Sequence, residues 1–208
     1  MAGIERPSEY FADMTIHLAG IVLAVTASLW LLTHVGGGAV VASVAVYCAG
    51  LLAMIGASAA YNLVPHRFAA KQILRRLDHA AIFVMIAGTY TPLVTSRLGG
   101  REGTIILSAV WACAVLGIAI KLVFPRRFEL FTLVLYLAMG WSIVTVIRPL
   151  AAHMAGLSFR LLVAGGLIYS AGVVFYVWER LPFHRAIWHG FVLTAAILQF
   201  AAIAFELA

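Results

Sequence analysis

The chain has 208 residues, of which 64% are hydrophobic and only 11% charged, with a formal net charge of +6. A soluble domain carries about 25% charged residues, so this composition excludes a water-facing globule. It also excludes a β-barrel, which would alternate apolar and polar positions in segments of about ten.

The apolar residues instead gather into runs of roughly 17–24, long enough to cross a hydrocarbon core of about 30 Å at about 1.5 Å per residue. The predicted fold is all-α: one polytopic domain over residues 1–208, a bundle of seven transmembrane helices. The first span is expected at 14–32. Its flank, "GIERPSEYFAD", holds three acids and one base, whereas a removable signal needs a basic leader. The remaining spans are expected at 40–63, 79–95, 104–124, 128–147, 159–178 and 186–207. Six prolines (Pro7, Pro65, Pro92, Pro125, Pro149 and Pro182) fall at the edges of these runs, as expected of a residue that lacks the N–H a helix interior uses. No linker, repeat or second domain interrupts them.

Seven spans place the N-terminal tail and the second, fourth and sixth loops on one side. That side carries ten basic residues: Arg6, Arg67, Lys71, Arg75, Arg76, Lys121, Arg126, Arg127, Arg180 and Arg185. The other side carries four, Arg97, Arg101, Arg148 and Arg160. Basic loops stay inside, so the N-terminus is expected in the cytoplasm and the C-terminus outside. The same rule accounts for the positive net charge without nucleic acid as a partner. The second loop, "PHRFAAKQILRRL", sets Phe68, Ile73, Leu74 and Leu77 against Arg67, Lys71 and Arg75, and is expected to lie along the inner leaflet against membrane lipids. Cys48 and Cys113 sit within apolar runs and read as packing residues. The row Ala49, Ala53, Ala57 reads as a close helix contact. Glu102, Glu129, Glu179 and Glu206 read as solvated loop or terminal charges.

Polar groups converge on the inner side. Asp13 and His17 open the first span; Ser58 and Asn62, four apart and so on one face, close the second. Asp78 and His79 open the third, and His184, Arg185 and His189 open the seventh. A polar residue in a membrane helix faces the bundle interior, a cavity or a partner. Single groups at helix ends are inexpensive in the head-group region, and Asp78 there also suits the helix dipole. Four ends meeting at one depth point to a site.

These residues carry a resemblance. "SAAYN" (residues 58–62), "RRLDHAAIFVMIAGTYTP" (75–92), "LPFHRAIWHGFVL" (181–193) and "EYFADMTIH" (9–17) resemble the hemolysin III family, grouped with the progestin and adipoQ receptors. The resemblance implies a bacterial-type inner-membrane protein with zinc near the inner ends of spans two, three and seven. The family pattern there is Ser-x-x-x-His, Asp and His-x-x-x-His. In this chain the matching positions are Ser58 and Asn62, Asp78, and Arg185 and His189, so two of three expected histidines are replaced. An asparagine carbonyl is a poor zinc ligand, and Arg185 brings a fixed positive charge.

Two arrangements follow. Arg185 takes the cation's place and pairs with Asp78, because a buried ion needs a partner. Alternatively, a different ligand set forms from His17, Asp78, His79, His184 and His189, with Asn62 beside it. The first arrangement suits a membrane sensor or homeostasis factor. The second suits a zinc-dependent hydrolase of lipid amides or esters, with Ser58 and Asp78 as catalytic residues orienting water or accepting its protons. A cytolysin is implied by the family name alone. A transporter is disfavoured by the lack of repeats or of broken helices at mid-membrane.

Overall fold

A computed structural model describes residues 6–65, 68–124 and 127–208; Arg67, Pro125 and Arg126, used above in counting charge and placing span ends, lie outside them. The described residues form helices and no strand. In chain order they are α1 (Pro7–His34), α2 (Gly38–Leu63), α3 (Lys71–Leu93), α4 (Gly100–Val123), α5 (Glu129–Trp141), α6 (Ile147–His153), α7 (Gly156–Val177) and α8 (His184–Leu207). A π-helical turn, Val94–Leu98, extends α3, and a 3-10 stretch, Ser142–Val146, joins α5 to α6. Seven stretches are long and apolar enough to span a bilayer, with α5 to α6 counting as one. The seven-helix bundle is therefore present.

The helices depart from the expected spans where local chemistry extends them. Pro7 sits at the first helical position of α1, where its missing N–H is no loss, so α1 begins well before residue 14. Lys71 anchors the start of α3 by donating from Nζ to the carbonyls of Tyr61 and Val64 at the end of α2. From that point "KQILRRL" runs directly into the third span instead of forming a separate surface helix. Pro92 lies inside α3 and does not end it. The π-helical turn follows at once, and the Thr91 and Thr95 hydroxyls donate to the carbonyls of Ala87 and Thr91. The fifth span is broken, contrary to expectation. Tyr90 of α3 reaches the break: its hydroxyl lies 2.7 Å from the Met139 carbonyl and accepts the Ile143 N–H at 2.7 Å. A phenol thereby serves backbone groups that lipid cannot.

Close packing of α2 on α3 does not run through the alanine row. Ala49 and Ala53 are exposed, because the contact face lies one position around the helix. There a Cβ on Gly50 would come within 3.3 Å of Met85 Cα, and one on Gly88 within 3.5 Å of Tyr47 Cα. The missing side chains let the two backbones meet. Gly165 and Gly172 of α7 make room for side chains of α8, since a Cβ would stand 2.8 Å from Gln199 Cγ and from Phe191 Cβ respectively. Helix α1 packs against both α2 and α8. Both cysteines are free thiols, Cys48 buried in the core.

Two of the glutamates assigned to solvent are ion-paired instead. Glu206 is buried, pairs with Arg97 at 2.5 Å and accepts the Ala155 N–H at 3.0 Å. It closes the end of the bundle opposite Asp13 by joining the π-helical turn to α8 and the start of α7. Glu129 accepts from Arg75 and Lys121, each at 2.8 Å, with Lys121 only 1% exposed. A lysine so enclosed needs a counter-charge, and the neighbouring span supplies it.

Candidate functional site

The first helix contributes most to the site. Asp13 and His17 are one turn apart and both buried. His17 Nδ1 stands 2.8 Å from the Asp13 backbone carbonyl, which can only accept. Nδ1 therefore carries the proton, and in the neutral ring Nε2 is left bare. That nitrogen faces Ser58 Oγ of α2 at 3.2 Å. Asn62, the next turn along α2, turns its amide back on the same helix, donating to the Ser58 carbonyl at 2.9 Å and to Ser58 Oγ at 3.3 Å.

From the far end of the sequence, α8 brings His189 to the same point. His189 Nδ1 donates to Asp13 Oδ1 at 2.5 Å, and the His17 and His189 rings meet edge to face with centroids 4.4 Å apart. Asp13, His17 and His189 each offer a ligand atom, and all three atoms lie within 4.8 Å of one another. Two imidazoles and a carboxylate form the donor set of catalytic zinc sites that keep an open position. By the chemistry of its donors this group fits zinc.

Of the sequence-derived candidates, Ser58, Asn62, Asp78, His17, His184, Arg185 and His189 all line one cavity. Ser58 faces Asp78 of α3, and the charges bearing on Asp78 are those of His189, Arg75 and Asp13. Arg185 is exposed, and its charge bears on Asp13. His79 also lines the cavity but faces the Arg75, Lys121 and Glu129 group, and its carbonyl accepts from Tyr136 at 2.7 Å. Neither His79 nor His184 joins the group of three. The sequence puts Asp13 at the polar end without singling it out as a candidate ligand. Its spacing of four from His17, the interval that puts two donors on one helix face, is the signal that could have found it.

The cavity has a volume of about 1530 Å³. Its polar end holds Asp13, Ser58, Asp78 and His189; beyond them it is lined by Met85, Leu93, Phe159 and Leu162 and reaches Gln199. Ten residues separate His189 from Gln199, about 15 Å along α8. The space therefore runs deep into the bundle, polar at one end and largely apolar along its length.

Seven apolar helices with a carboxylate–imidazole group between them define a multi-pass membrane protein with a polar site at one end of the bundle. The chain belongs to the haemolysin-III related family, which matches residues 8–200. It is 36% identical to the hemolysin-3 homolog of Bacillus subtilis (strain 168) over 95% of this chain and 93% of that one. Hemolysin-3 of Bacillus cereus is also 36% identical, over 95% and 91%. Human monocyte to macrophage differentiation factor is 31% identical over 76% of this chain and 67% of its own. No solved structure matches.

Proposed function

We propose that this chain is a zinc-dependent hydrolase that cleaves an ester or amide bond of an acyl lipid taken from the surrounding membrane. The observation that supports this reading is the placement of the Asp13, His17 and His189 group at the polar end of a deep, largely apolar cavity. That shape suits an amphiphile, with its acyl chain along Met85, Leu93 and Leu162 and its head-group linkage beside the imidazoles. Zinc, when bound, supplies a Lewis acid and a water acidified to near neutral pH.

The chain's own residues supply the rest. Asp78, which lines the polar end beside Ser58, is the acid–base group in this reading, taking a proton from water and returning it to the leaving group. Ser58 orients the reactants: its hydroxyl faces both His17 and Asp78 while Asn62 donates into its oxygen. The apolar wall excludes bulk water and strengthens each of these contacts. The sensor reading drew its support from the loss of two family histidines, and that support weakens where α1 contributes two donors of its own. The excess of basic residues around the polar end favours a cytoplasmic location for this site in a bacterial-type inner membrane.

The test is release of free fatty acid from ceramide or lysophospholipid in vesicles containing the purified, zinc-loaded protein. Release that falls about 100-fold or more in Asp78→Asn supports the reading, at the scale typical of a lost acid–base group. No release from either lipid class overturns it.

A further inference from the structure

We infer that the metal position in this chain has moved onto the first helix: the cation is held by Asp13, His17 and His189, with Asp13 replacing a lost histidine. The inference rests on the reading that the site holds a metal. It goes beyond that reading by naming a ligand set that differs from the one the family resemblance implies.

Three observations carry it. First, the positions matching the family's other histidines cannot serve. Asn62 offers a neutral oxygen, and its amide is committed to Ser58. Arg185 offers only donors and a positive charge. Second, α1 presents a carboxylate and an imidazole one turn apart, both buried, at the same depth as His189. Third, the proton on His17 Nδ1 is held by the Asp13 carbonyl, which leaves Nε2 without a proton beside Ser58 Oγ, and a ligand atom of each of the three residues lies within 4.8 Å of the others. A second-shell hydrogen bond of this kind orients a metal-binding histidine.

The replacement also makes electrostatic sense. A ligand set with one carboxylate is more negative by one unit than a set of three neutral imidazoles, and this offsets the positive charge that Arg185 adds nearby. It changes the mechanical role of the ion too. A cation held by α1 and α8 joins the first and last spans, whereas the set implied by resemblance would join the second, third and seventh.

The experiment is elemental analysis of the full-length protein in detergent, stripped with chelator and reloaded with zinc, beside thermal unfolding of the same samples. Wild type is expected to hold about one zinc per chain. Asp13→Asn and His189→Ala are expected to hold less than a tenth of that, while Asn62→Ala and His184→Ala keep it. Zinc is expected to raise the Tm of wild type but not of Asp13→Asn. Because Asp13→Asn could instead misfold, Asp13→His serves as the second variant: it restores a nitrogen donor and is expected to recover zinc. Cobalt(II) in place of zinc should give tetrahedral visible absorption in wild type that is absent in Asp13→Asn.

Full zinc in Asp13→Asn overturns the inference. So does zinc lost equally in Asn62→Ala, or a wild type that binds none until Asn62→His and Arg185→His are introduced. Metal content is read without lipid, so a chain that holds zinc through Asp13 but releases no fatty acid keeps this inference and loses the hydrolase reading.

Discussion

Asp13 Oδ1 and His189 Nδ1 meet at 2.5 Å although 176 residues separate them in sequence. The contact ties the start of the first span to the start of the last. Without metal, Asp13→Ala and His189→Ala should each lower stability, and the double variant should lose less than their sum. The expected coupling is about 1–3 kcal/mol, measured by thermal unfolding of chelated protein in detergent. Strict additivity would show that the two side chains do not interact.

Lys121 is enclosed and depends on Glu129 for its counter-charge. Breaking a fully buried pair costs about 3–5 kcal/mol, but the Glu129 side chain is 39% exposed. Glu129→Gln is therefore expected to cost less, roughly 1–3 kcal/mol after allowance for solvent screening. Lys121→Met added to Glu129→Gln should recover most of the loss, because it removes the uncompensated charge. Failure of the second substitution to rescue would place the cost elsewhere, for example in the Arg75 contact.

Tyr90→Phe removes the hydroxyl that serves the broken fifth span. With the Ile143 N–H left unsatisfied at a part-buried position, the expected loss is about 1–3 kcal/mol. Amide exchange should rise first at Ile143 and its neighbours in Ser142–Val146. Unchanged exchange there would show that the 3-10 stretch holds its own geometry.

Gly117 faces the ring of Phe83, where an added Cβ would stand 2.2 Å from Cζ. Gly117→Ala forces that buried ring aside and should cost roughly 1–3 kcal/mol, the range for overpacking. Phe83→Leu, which leaves a void alone, should be better tolerated beside Gly117→Ala than on its own. A reversal of that order would mean that α3 and α4 separate easily.

The bundle was legible because its signal is repeated: long apolar runs show through any local irregularity. The irregularities themselves were not. Pro92 reads as a helix end because the sequence does not reveal that the helix carries on through it into a π-helical turn. The break after Trp141 has no proline or glycine of its own within Ser142–Val146, and depends on a tyrosine from another helix. The convergence of Ser58, His17 and His189 on one cavity was legible from their depth and spacing. The proximity of Asp13 to His189 is not legible in the sequence, because 176 residues separate them and only the packing of α1 on α8 brings them together. Glu129 and Glu206 looked solvated because their partners, Lys121 with Arg75 and Arg97, come from other helices.

Glycine contacts pack α2 on α3, and α7 on α8, into two plates. Ser58 and Asp78 ride on the first plate and His189 on the second, while α1 lies against both and carries Asp13 and His17. The polar group is therefore a gauge of the gap between the plates. A shift of α8 against α1 changes the distance from His189 to Asp13 directly, because that contact spans the seam.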